Sequence, residues 1–247
     1  MPLSHAELEA IRRSRRHPRA TQFDYLHLRF MISGLEEVLR SLPEPKRDVL
    51  DVWCGTRPYD DLFPREARIV GFDVEGNPYG VADVVSDTFL PFDDESFDLV
   101  VCIQAFQFVP DPAAAIAEFR RVLRRNGVVL IALPFAFEYD PRILERRYTG
   151  PQLMALFEGW DDVRLHEHGG RAVSWAVLTA SLVRNVDTYA RRRPLLRVLA
   201  PLFAAAYVLL NGLGLVLAKL EERRLGSGAL PMNLLLTARR PTELTPD

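Results

Sequence analysis

The sequence predicts an α/β domain built on a doubly wound sheet, with a helical insert ahead of its last strand. Three observations carry this. Short apolar or β-branched runs alternate with segments of helical periodicity, the pattern of a parallel sheet covered by helices. The run FDLVVCI at 97–103 is almost wholly apolar, as a strand buried on both faces requires. Residues 171–228 separate the last two strand-like runs by far more chain than an ordinary connection. With 247 residues, 48% of them hydrophobic and 26% charged, the chain suits one large domain with a substantial core. Its 31 basic and 33 acidic residues leave a net charge of −2, which excludes a global field that would hold a nucleic-acid backbone. Cys54 and Cys102 are too few for a disulfide framework and suit a reducing compartment. Residues 1–20 are polar, unlike a secretory leader, so the expected location is cytoplasmic.

Taken in order, residues 1–20 are Arg-rich and read as a frayed or surface helix, with a solvated face the plainer reading and an acidic partner or lipid surface the sharper one. Helical spacing over Phe23–Leu42 is ended by Pro43 and Pro45. Val49–Trp53 and Arg68–Phe72 read as strands, Val81–Val85 as a weaker one. Asp111 and Pro112 form a cap and first turn for a helix that should stop near Asn126-Gly127. Val128–Leu133 is the next strand. Tyr148–Phe157 reads as a helix capped by Thr149, and Asp162–His166 as a strand. The insert holds a helix from Val173 to Ala190, a break at Arg191–Pro194, and an apolar stretch Leu195–Leu220 interrupted at Pro201 and Asn211–Gly214. Met232–Ala238 closes the sheet. The units are therefore an N-terminal helical region (1–45), the α/β domain (46–170 and 229–247) and the insert (171–228).

In open parallel sheets, ligands sit beyond the carboxyl ends of the strands. After the first strand comes Asp51-Val52-Trp53-Cys54-Gly55-Thr56-Arg57. About twenty residues on, Asp73 ends the second strand, placed to accept hydrogen bonds from a ribose diol; a turn or cap role is the plainer reading. Ser86-Asp87-Thr88 ends the third, where an acid can accept from an adenine amine, with helix capping as the alternative. The segment from Cys54 to Tyr59 does not supply the Gly-x-Gly-x-x-Gly of a nicotinamide site. Cys54 and Cys102 read as small buried residues. His166 and His168 share a strand face without a third ligand, so no metal site is expected.

The series VLDVWCG, VGFDV, SDTFLPFDDESFDLVVC and FVPDPAAAIAEFRRVLRRNGVVLIALPF resembles class I S-adenosylmethionine-dependent methyltransferases of the type 11 family. The likeness is good over about Val49–Phe135 and looser beyond. It implies a Rossmann-like sheet of seven strands with the last antiparallel. It also implies S-adenosylmethionine as cofactor, with Asp51, Gly55, Asp73, Asp87 and Gln104 at cofactor-contacting positions and Trp53 and Thr88 beside them. The chain departs from the family at Trp53 and Arg57, which replace the first and third glycines of its Asp-x-Gly-x-Gly-x-Gly motif. The Trp53 indole must either point away or take space the methionine half of the cofactor needs. Phe106-Gln107-Phe108 stands where the family often has Leu-Glu-His. Two readings follow: a methyltransferase that works largely by positioning, or a degenerate fold that serves as a scaffold or membrane-associated interaction protein. The resemblance implies a small-molecule, glycan or lipid-type acceptor. No residue qualifies as a general base by spacing; Asp140, Tyr148 and His166 are only candidate neighbours of the site.

From Val198 to Ala218 the chain carries no charge over 21 residues, near the length of a bilayer-spanning helix. A single crossing would leave the closing strand on the wrong side. Arg191–Arg193 and Arg197 before the segment, with Arg223 and Arg224 after it, suit a hairpin turning near Asn211-Gly212 that contacts the inner face of a membrane through residues 195–224. A helical cap on the domain, or a homodimer, is the competing cover for the same apolar surface.

Overall fold

In the computed structural model, which describes residues 3–43, 46–87, 90–138, 141–224 and 230–242, the sheet has seven strands in the order β3-β2-β1-β4-β5-β7-β6. They are β1 (Asp48–Val52), β2 (Arg68–Asp73), β3 (Val84–Val85), β4 (Phe97–Ile103), β5 (Leu123–Pro134), β6 (Asp161–His168) and β7 (Asn233–Arg239). β1 to β5 run parallel, and β7 lies antiparallel between β5 and β6. The expected architecture is therefore present, with the last strand reversed.

The apolar strands are explained by two cores. Leu50, Val100, Val129 and Ile131 face one side, where α3 (Pro112–Val122) contributes Ile116 and Phe119. Their neighbours Val49, Leu99, Val101 and Leu130 face the other, where α2 (Tyr25–Ser41) contributes Met31 and Leu35. Successive side chains alternate faces, so burial on both sides demands an unbroken apolar run. Asp111 caps α3 by accepting from the Ala114 N–H at 3.0 Å, with Pro112 in the first turn. Thr149 and Gln152 form a capping box for the short α4 (Gly150–Ala155).

Four expectations are corrected. The third strand is only Val84–Val85. The helix after Asp111 stops at Val122, not at Asn126-Gly127, because Leu123 already pairs with Phe97 and the extra residues form an irregularity in β5. Asn126 takes the left-handed conformation there, at φ +62°. Of the two readings of the Arg-rich N-terminus, the surface helix is the one present, α1 (His5–Arg16) with a Ser4–Glu7 capping box, but its face is not wholly solvated, because Arg12 and Arg16 bind the domain. Arg16 Nε donates to both Asp61 carboxylate oxygens at 2.9 Å, and Arg12 Nε to the Thr56 carbonyl at 2.6 Å.

The fourth concerns the insert. It is a hairpin of α5 (Arg171–Arg191) and α6 (Ala200–Arg224), turning through Arg192–Leu199 rather than near Asn211-Gly212. Pro201 falls in the first turn of α6, where its missing N–H has no helical partner to lose. Asn211 and Gly214 lie mid-helix on the inner face. Asn211 Nδ2 donates to the Ala20 and Gln22 carbonyls at 2.8 and 2.9 Å. Gly214 allows close approach: a Cβ there would stand 2.7 Å from Ala176 Cβ and Leu26 Cδ1. Gly214→Val is accordingly expected to lower stability by about 1–3 kcal/mol through overpacking, read from the midpoint of denaturant unfolding.

Candidate functional site

The carboxyl edge of the sheet carries a cavity of about 110 Å³, lined by Asp51, Trp53, Gly55, Thr56, Tyr59 and Gln104 among others. Its floor is the loop after β1, and the loop's backbone is its defining feature. Trp53, Gly55 and Arg57 all have left-handed torsions, at φ +56°, +56° and +51°. Only glycine adopts this region freely, and an L side chain there costs about 1–2 kcal/mol. The loop thus holds a three-glycine conformation with one glycine.

What holds it is the end of β2. The Gly55 N–H donates to Asp73 Oδ2 at 2.9 Å, the Val74 N–H to Oδ1 at 2.9 Å, and the Asn77 side-chain amide also donates to Oδ2. The Cys54 N–H donates to the Phe72 carbonyl at 3.0 Å. The two foreign side chains leave the loop in different directions. Arg57 turns away from the cavity, donating to Asp60 (3.0 Å), Asp83 (2.6 Å) and the Ile69 carbonyl (3.2 Å). Trp53 lines the cavity and sets its ring edge-on to Phe119 of α3, with centroids 6.0 Å apart. Of the two alternatives for Trp53, the indole does part of each: it packs on the core and narrows the cavity.

Asp51 is the electrostatic anomaly. Its carboxyl is buried beside the cavity, only 7% exposed. Burial first, then the nearby Asp60 and Asp73 charges, push its pKa up to about 8, with Arg57 opposing. Cys54 and Cys102 are free and buried, and burial pushes both thiols up, which leaves them unreactive.

Of the residues chosen from sequence, Asp51, Trp53, Gly55 and Gln104 come together around the cavity. Asp73 sits beneath the loop as its tie. Asp87 is exposed and accepts the Glu75 N–H at 2.7 Å, so it braces the turn after β2 outside that cavity. Thr88 and Asp140 lie outside the described residues. Tyr148 is buried against Phe106, and His166 lies on β6 with its ring stacked on His168. Among the described residues no three His, Cys, Asp or Glu side chains are grouped to hold a metal.

Sequence reasoning missed Arg15, Tyr79 and His27. Arg15 closes the cavity from α1, and Tyr79 from the turn after β2. His27, on α2, stacks against Phe137 at 4.5 Å, and Asn233 bridges it to the site by donating to its carbonyl at 3.1 Å. Gln104 Nε2 reaches the Asn233 side chain at 3.4 Å, itself held by a left-handed backbone at φ +59°. Burial, then Arg15, lower the His27 pKa to about 3, so its ring is neutral. No periodicity distinguishes these residues from others on their helices and turns.

A doubly wound sheet with a reversed seventh strand, and an acid–loop–acid pair at the ends of β1 and β2, defines the class I methyltransferase fold. Residues 50–131 match the family model described as "Methyltransferase domain". Over this segment the chain is similar to S-adenosylmethionine-dependent methyltransferases, whose cofactor is S-adenosylmethionine. Among curated relatives, the ubiquinone biosynthesis O-methyltransferase of Pasteurella multocida is 27% identical over 110 residues, covering 35% of this chain and 46% of the relative. The chain spans less than half the length of the curated relatives it matches. Among solved structures, an S-adenosylmethionine-dependent methyltransferase from Thermotoga maritima shares the fold at TM-score 0.53 and 16% identity, covering 96% of this chain and 100% of that one. The [4+2]-cyclase SpnF does so at TM-score 0.52 and 19% identity, covering 86% of this chain and 82% of that one.

The Asp51 shift has a pH consequence. An acid whose pKa is about 8 when folded and about 3.9 when unfolded binds its proton more tightly in the folded state. Its contribution is fully present below the unfolded pKa and is lost as pH rises through the folded one. Asp51→Asn should therefore match the wild type in melting temperature near pH 4 and exceed it at pH 8, checked by thermal melts across that range.

Proposed function

We propose that the chain transfers a methyl group from S-adenosylmethionine to a small-molecule, glycan or lipid-type acceptor. The proposed setting is the cytoplasm, with peripheral contact at the inner face of a membrane through residues 195–224. One observation carries the reading: the loop at 53–57 holds left-handed torsions at all three positions where the family motif has glycine, although only Gly55 remains. A backbone that holds an unfavourable conformation against its own side chains is over-determined by its surroundings, which is a mark of functional sites.

The residues fit the cofactor by their chemistry. Asp51 is a buried acid beside the cavity, and a cation there would offset the cost of burying its charge; the amine of the cofactor is such a cation. Gly55 leaves open space over the loop, with no atom within 4 Å of where a Cβ would be. Asp73 orders the loop and retains carboxylate lone pairs for a ribose hydroxyl. When bound, the cofactor supplies a methyl group on an already activated sulfonium. The protein's share is then orientation and exclusion of water: Arg15 of α1 covers the cavity, and Gln104 is anchored through Asn233. The Pasteurella multocida relative is named an O-methyltransferase of ubiquinone biosynthesis, which favours an oxygen acceptor.

A second reading, a degenerate scaffold, is favoured by the size of the cavity. About 110 Å³ is well below the roughly 300 Å³ or more of sites that enclose cofactor-sized ligands, and Trp53 is the residue that narrows it. Calorimetric titration with S-adenosylhomocysteine separates the two. The methyltransferase reading expects saturable binding, weakened by about 1–3 kcal/mol in Asp73→Ala and strengthened in Trp53→Gly, which opens the cavity and removes a left-handed side chain. No binding at millimolar ligand by either the wild type or Trp53→Gly would establish the scaffold.

A further inference from the structure

The α5–α6 hairpin is inside out. The residues α6 turns toward the domain are Tyr207, Asn211, Gly214, Ala218 and Glu221, a stripe of small and polar side chains at helical spacing. Its large apolar residues face solvent: Leu202, Leu209, Leu213, Val216 and Leu220, with Leu209 73% exposed. The partner helix shares the pattern only toward its second half: Val173, Ala176 and Val177 pack inward near its start, but Ala180, Ser181 and Asp187 are the buried residues farther along, whereas Leu178, Leu182 and Val186 are exposed. A helix that packs on a water-soluble domain normally turns its apolar stripe inward. Here the polar stripe makes specific inward bonds. Glu221 accepts the Arg171 and Ala172 N–H groups at the start of α5 at 3.2 and 3.0 Å. Asp187 accepts from Arg191 at 2.6 Å and lies 3.4 Å from the Tyr207 hydroxyl. Asn211 is spent on the Ala20 and Gln22 carbonyls. These bonds fix which face points out, so the exposed apolar surface is the designed state of the hairpin rather than a helix rotated by chance.

The charges say what covers that surface. Residues 171–224 hold nine basic and three acidic residues. Two of the acids, Asp187 and Glu221, are buried, which leaves Glu222 as the exposed one. Arg192, Arg193 and Arg197 stand exposed at the turn between the helices, and Lys219 and Arg223 near the far end of α6. A second copy of the chain seated on this face would bring basic ends against basic ends. A straight bilayer span is excluded although Pro194–Arg223 is long and apolar enough for one, because Asn211 in its middle is bonded to the Ala20 and Gln22 carbonyls and β7 returns to the sheet.

We infer that the α5–α6 hairpin docks flat on an anionic lipid bilayer, its apolar stripe in the acyl boundary and the basic residues at both ends among the headgroups. This rests on the membrane part of the function proposed above and extends it from residues 195–224 to both helices, with a defined face and orientation. At 25 residues and about 1.5 Å per residue, α6 alone would lay down roughly 37 Å of contact. An exposed apolar face of this kind is otherwise foreign to soluble monomers.

The test is flotation of the full-length protein with vesicles of phosphatidylcholine alone or of an equal mixture of phosphatidylcholine and phosphatidylglycerol. The wild type is expected to float with the mixed vesicles and to partition at least about tenfold less onto neutral ones. Arg192→Glu/Arg193→Glu/Arg197→Glu, which spares the Arg191–Asp187 pair, and Leu209→Glu/Leu213→Glu should each lose about tenfold or more, with circular dichroism and S-adenosylhomocysteine titration unchanged. Should the Leu209 pair not fold, Leu182→Glu on α5 probes the same face. A wild type that stays in solution with both vesicles overturns the inference. So does equal flotation on neutral and anionic vesicles, or a solution dimer that Leu209→Glu/Leu213→Glu returns to monomer. Flotation by a protein that binds no S-adenosylhomocysteine would uphold the docking surface and sink only the methyl-transfer reading.

Discussion

The carboxylate of Asp73 is the interaction on which the site depends. It closes β2, and through the Gly55, Val74 and Asn77 donors it gathers the loop after β1 into a fixed shape. Without that tie, Trp53 and Arg57 would have no reason to stay in left-handed torsions that L residues avoid. Arg57 adds a second brace on the side away from the cavity, where Asp60 and Asp83 accept its guanidinium. The family's glycines make such a loop easy to form; here neighbouring hydrogen bonds make it obligatory.

The same economy appears at the other end of the chain. β7 enters between β5 and β6 and pairs with both, which obliges residues 171–230 to leave and return at one edge of the sheet. A hairpin follows from that constraint. Asn211 then links it to the segment that joins α1 to α2, through the Ala20 and Gln22 carbonyls. Since α1 carries Arg15 over the cavity, the hairpin and the cover of the cavity share one continuous set of contacts.

Much of the fold was legible because burial on both faces writes apolar runs into β1, β4 and β5, and because Asp111-Pro112 and Thr149 announce helix starts. The errors have physical causes. Asn126-Gly127 was read as a helix stop, but a left-handed Asn serves equally as an irregularity in a strand, and pairing of Leu123 with Phe97 decided between them. Asn211–Gly214 was read as a turn because both residues disfavour helices. Its real role, a polar and small inner stripe, exists only once Ala20, Gln22 and Ala176 are in place. At the site, Asp73 was visible through its spacing from the first turn, and Asp51 and Gly55 through the resemblance to the family's motif. Arg15 and His27 were not, since their importance comes from packing of the N-terminal helices over the carboxyl edge, which no local pattern records.

The central claim is that the loop, held by Asp73, is a cofactor cradle despite its lost glycines. A crystal structure of the full-length protein grown with S-adenosylhomocysteine tests it most directly. The account predicts ligand density over Gly55, its amine facing Asp51, with residues 53, 55 and 57 still left-handed and the Trp53 indole shifted to enlarge the cavity. A structure from saturating ligand with the indole unmoved and the cavity free of ligand density would contradict it.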